Sequence, residues 1–100
     1  MLIQSKSLNN EVVTVKMISG EEIISRVQED NDDHFILNKP LCLIPGPNGG
    51  LGLAPALFST DPKDFVRVNK TAIALQAKTA QDIANQYLQQ TTGLTIAKAV

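Results

Sequence analysis

The chain has 100 residues, enough for one domain and one core. Nine basic and ten acidic residues give a net charge of -1, so no bulk basic excess points to a general nucleic-acid binder. A single cysteine excludes an intramolecular disulfide, and no apolar run approaches the roughly 20 residues of a membrane helix.

Residues 1–10 are weakly patterned, with Leu2, Ile3 and Leu8 as anchors for a short helix or a stray segment on a sheet. Met1-Leu2-Ile3 is too short for a signal peptide, and a cytoplasmic location is expected. From Val12 the pattern becomes strongly β. Val13, Val15 and Met17 alternate with Thr14, Lys16 and Ile18. Ile23, Ser25 and Val27 alternate with Ile24, Arg26 and Gln28. Such alternation predicts half-buried strands, with one face on a core. Ser19-Gly20-Glu21-Glu22 supplies a tight turn through the conformational freedom of Gly20, and residues 30–33 supply a second through Asp and Asn side chains.

A third strand runs from His34 to about Pro45, and Pro40 predicts a bend near Lys39-Pro40. Cys42, within Leu-Cys-Leu-Ile, is expected to be a buried strand thiol. Residues 45–50 form the clearest surface loop; as a phosphate cradle they lack the Gly-Lys-Ser/Thr ending and a following helix. Leu51 to Phe58 predicts a fourth strand interrupted near Pro55, and residues 59–64 a turn around Asp61-Pro62. Phe65 to Val68 resumes extended structure as a continuation of the fourth strand, and Thr71 to Ala77 forms the fifth. Thr79 and Asp82 resemble a capping box opening a helix over about residues 80–91. Ile83, Ala84, Tyr87 and Leu88 make one stripe on it, and Gly93 is its natural stop. That stripe packs on the chain's own sheet or a sister subunit, or else offers a face to another protein. The expected fold is therefore mainly β: a single domain over residues 1–100, with a strongly bent five-stranded small barrel over about 11–78 and an added C-terminal helix.

The run from Leu8 to Val27 resembles the first motif of the Sm and Sm-like family, through Val13, Val15, Met17, Gly20, Ile23, Val27 and Asp32. Val68-Asn69-Lys70-Thr71-Ala72-Ile73 takes the place of the second motif. The size, the proline-bearing third strand and the following helix are most similar to small Sm-like proteins encoded by phages of cyanobacteria. The resemblance covers about residues 8–78. It implies an SH3-like barrel that closes into a homo-oligomeric ring, in the cytoplasm of a bacterial host if phage-encoded. It also implies single-stranded RNA at the inner rim, bound by base stacking and edge contacts.

Aligning Asp32 with the family acid puts His34 at the stacking position and Ile36 at the position of the family's Asn, with Asn38 two residues on. Asn69 stands where the family has Arg, and Lys70 where it has Gly. The implied RNA site is therefore His34, Asn38, Asn69 and Lys70, without the stacking Arg. Arg67 is a further phosphate contact to weigh, and Phe35 reads as core. Asp30, Asp32 and Asp33 lack calcium-loop spacing and read as a solvated turn. No nucleophile-base pair, cofactor motif or metal-ligand spacing is present in the sequence. Three function classes follow: an RNA-binding ring, a ring or adaptor working through protein contacts, and, with least support, an enzyme.

Overall fold

The computed structural model describes residues 7–92. Strands β1 (Val12–Met17), β2 (Glu22–Asp30), β3 (His34–Pro45), β4 (Leu51–Pro55), β5 (Phe65–Asn69) and β6 (Ile73–Lys78) precede helix α1 (Gln81–Thr92). The strands form one antiparallel sheet in the order β4-β3-β2-β1-β6, with β5 also on β3. The expected meander β1-β2-β3 is present, and Gly20 turns the first hairpin at φ 111°. Six strands replace the expected five. β5 pairs with residues 34–38 of β3 and β4 with residues 41–45, so the two lie end to end along one edge. Residues 56–64 leave the sheet between them. Pro55 ends β4, opposite the bend that Pro40 imposes on β3.

That bend is a β-bulge. Arg26 pairs with Asn38 and Ile24 with Leu41, so Lys39 and Pro40 together oppose Ser25 alone. Lys39 takes φ 58° to make it. A bulge is where a strand tolerates a residue without an N–H. It also opens the ladder beside the Arg26 N–H and the Asn38 and Lys39 carbonyls. The Tyr87 hydroxyl fills the gap. It accepts from the Arg26 N–H at 3.0 Å and faces the Asn38 and Lys39 carbonyls at 2.7 and 2.9 Å. Burial pushes the Tyr87 phenol up, so it stays a neutral donor well into the alkaline range.

The sheet curls around its inner face. Val13, Val15, Val27, Phe35 and Leu37 form the buried cluster, and Val66, Val68 and Ile73 from the far strands pack on it. The outer face carries α1. Tyr87 packs with Ile24 and Leu41, flanked by Val12, Leu43 and Leu53, while Ile83 and Leu88 complete the predicted stripe. The helix thus uses its apolar face on its own sheet. Its start differs from the expected capping box. Thr79 remains in the β-ladder, donating its N–H to Val12 and placing its hydroxyl 2.8 Å from that of Thr14. Asp82 takes the Ile83 N–H instead. At the other end the Lys39 ammonium donates to the Thr91 carbonyl at 3.0 Å, a cation at the negative helix end.

Leu2 and Ile3, the Gly93 stop and the tail beyond it lie outside the described residues. Among the described residues, no helix is long and apolar enough to cross a membrane.

Candidate functional site

The β2–β3 turn and the Lys70–Ala72 turn between β5 and β6 meet at one end of the sheet. The Lys70 N–H donates to the Asp33 carbonyl at 2.9 Å, locking the two turns together. Antiparallel ladders alternate hydrogen-bonded and open pairs. With Asp33 and Lys70 bonded, His34 and Asn69 form the adjacent open pair, whose side chains lie closest. Arg67 Nε donates to Asn69 Oδ1 at 3.3 Å. The backbones of His34, Asn69 and Lys70 therefore meet at this junction, and Arg67 joins through Asn69.

Asn38 is not part of this group. It sits four residues along β3, about 13 Å away at strand rise, opposite Arg26 and Phe65. Its carbonyl serves the bulge. Counting residues along one strand face places it on the same face as His34 but not at the same end.

Apart from the Arg67–Asn69 bond, the side chains of the group are held by residues outside it. His34 Nδ1 lies 2.6 Å from Asp33 Oδ1, and its Nε2 lies 3.1 Å from Asn31 Nδ2. Both contacts fit one neutral tautomer, with Nδ1–H donating and Nε2 accepting. The His34 hydrogen bond holds the Asp33 carboxyl below its usual value. Lys70 Nζ sits 2.6 Å from Asp30 Oδ1 and 4.6 Å from the Phe35 ring centre, a cation placed between a carboxylate and an aromatic face. Asp30 Oδ2 in turn accepts the Leu8 N–H at 3.1 Å. Composition alone gave no sign that Lys70 serves as an internal clamp; the signal lies in the pairing of Asp30 with Phe35 across β2 and β3.

Burial works to raise the Asp30 carboxyl. The Lys70 hydrogen bond, the Leu8 amide and the Lys70 charge outweigh it, and the net effect lowers Asp30 below its ordinary value. A depressed carboxyl contributes stability above its unfolded pKa and loses it as pH falls through the folded one. Wild-type stability is therefore expected to drop below about pH 4. Asp30→Asn should be less stable at pH 7, by about 1–3 kcal/mol, and flatter at acid pH. Urea midpoints across pH 2–7 check both; parallel profiles would contradict the clamp.

A second feature was not visible in the sequence. An open apolar cleft of about 330 Å³ lies between β5 and the β1–β2 turn, on the core face of the sheet. Cys42, expected to be buried, is half-exposed and lines this cleft, because past the bulge the described residues leave the core face of β3 open. Among the described residues, no cluster of His, Cys, Asp and Glu could hold a metal ion. No protein-family model matches the chain, and no curated protein matches it.

Proposed function

We propose that this chain is an Sm-like subunit that closes into a homo-oligomeric ring and works as a scaffold through protein contacts. The observation that carries the reading is the state of the two sheet edges. On β5 the ladder phase turns the amides and carbonyls of Phe65, Arg67 and Asn69 away from β3. On β6 it turns those of Gln76 and Lys78 away from β1. Each edge also exposes a large apolar side chain, Phe65 at 55% and Leu75 at 68%. Two of the chain's three phenylalanines, Phe58 and Phe65, are exposed, both on the β4–β5 side. Unpaired edges with apolar side chains invite pairing with another chain. Joining two different edges is a heterologous contact, which closes into a ring when the rotation permits.

A second reading, single-stranded RNA at the rim, is favoured by the meeting of His34, Asn69 and Arg67 at the junction of the two turns. The electrostatics favour the scaffold. Lys70 is held by Asp30, and Glu29, Asp32 and Asp33 add negative charge around the same turn. Phosphate contacts need uncommitted cations.

Fluorescence anisotropy with labelled oligo-U and oligo-A at two salt concentrations separates the readings. The scaffold predicts no saturable binding at low salt. Saturable, salt-sensitive binding, lost in His34→Ala and Arg67→Ala variants of unchanged circular dichroism, would replace the scaffold with the RNA reading.

A further inference from the structure

The apolar cleft beside β5 has a specific occupant if the edges join antiparallel. In a strand of L-residues, three things are locked together: chain direction, the side to which a residue's N–H and C=O point, and the sheet face its side chain takes. On β5 the edge-facing residues Phe65, Arg67 and Asn69 pair with Asn38, Ile36 and His34 on the outer face. Val66 and Val68 lie on the core face with Leu37 and Phe35. On β6 the relation is reversed. The edge-facing residues Gln76 and Lys78 pair with Val15 and Val13, on the core face, and Leu75 and Ala77 pair with Lys16 and Thr14, on the outer face. Opposed residues in an antiparallel pair share a face. An antiparallel seam therefore joins the core face of β6 to the outer face of β5, and the outer face of β6 to the core face of β5. Leu75, 68% exposed on its own subunit, is carried to the side of Val66 and Val68. That is where the cleft opens, walled by Met17, Leu37, Cys42, Leu57, Val66 and Val68. A parallel seam would leave the cleft empty and is the less stable pairing per residue.

We propose that the cleft is a socket for Leu75 of a second copy of this chain, so that the core of each subunit is completed by its neighbour. The inference rests on the ring reading and adds the face and the residue. The socket explains why Cys42 is left half-exposed and why β6 presents a leucine to solvent in an isolated subunit.

Cysteine cross-linking tests it in the full-length chain. Leu75→Cys is oxidised with copper phenanthroline in the presence of the native Cys42. A parallel arm uses Leu75→Cys with Leu57→Cys in a Cys42→Ser background. Gln76→Cys, whose side chain leaves on the opposite face, is the control. The expected result is a covalent ladder on non-reducing gels in at least one Leu75→Cys arm, and none with Gln76→Cys. An assembled protein that cross-links only through Gln76→Cys, or through neither position, overturns the socket and leaves the ring standing. A wild-type chain that is monomeric at every concentration overturns the ring and the socket with it.

Discussion

Tyr87→Phe is expected to lower stability by about 1–3 kcal/mol although it removes a single oxygen. The ring stays, so the packing against Ile24 and Leu41 is retained. What goes is the partner of three backbone groups at the Lys39-Pro40 bulge. The Asn38 carbonyl keeps a second donor, the Ser25 hydroxyl at 3.2 Å. The Arg26 N–H would lose the hydroxyl it donates to inside the bulge, which accounts for most of the expected loss. Tyr87→Ala adds a cavity at a residue only 1% exposed, and large-to-small changes of aromatic residues cost about 3–5 kcal/mol. Urea unfolding followed by circular dichroism measures both. A lower midpoint with an unchanged slope is the expected signature for Tyr87→Phe. A Phe variant as stable as the wild type would mean that water serves the bulge equally well.

Leu75→Asp is expected to abolish assembly while sparing the fold of the subunit. On the isolated chain Leu75 is mostly solvent-exposed, so the dilute variant should melt like the wild type. At the seam the change removes the burial of a leucine, about 1.5–3 kcal/mol, and sets a carboxylate against Val66 and Val68. A combined cost above about 3 kcal/mol weakens each contact more than about 100-fold. Leu75→Met, close in volume, should assemble normally. Analytical ultracentrifugation over a concentration series checks the pair of variants. Equal assembly of Leu75→Asp and wild type would show that the seam lies elsewhere.

The parts of the fold that were legible in the sequence are those written in local pattern. The alternation from Val12 to Val27, the Gly20 turn, the Pro40 bend and the Ile83-Ala84-Tyr87-Leu88 stripe each arise within a few residues, and each is present. The errors come from pairings between distant segments. Thr79 has the chemistry of a cap, yet its N–H is taken by Val12 and its hydroxyl by Thr14, far away in the chain. Lys70 reads as an exposed cation until β5 returns it to Asp30. Asn38 looks like a neighbour of His34 because strand parity says which face a residue takes, not which end of the sheet a site occupies. Cys42 sits in an apolar run, but burial depends on what lies opposite, and here the opposite wall is the open cleft. The count of strands rose to six because the fourth is broken by residues 56–64, an excursion that Pro55 and Pro62 permit but do not specify.

These features converge on one arrangement. The helix occupies the outer face, the curled sheet occupies its own core, and what is left over is two polar edges bearing Phe65 and Leu75, with an apolar cleft beside one of them. Under the ring proposal such a subunit is completed by copies of itself, and the turn cluster around His34 and Asn69 is repeated around the ring.

The most direct test is the mass of the wild-type protein in solution, by size-exclusion chromatography with light scattering from low to high micromolar concentration. Ring closure predicts one discrete species, an integer multiple of the 10.8 kDa chain above a dimer and constant over that range. A monomer throughout, or a dimer, would contradict closure through the two edges, since a dimer leaves no place for a ring.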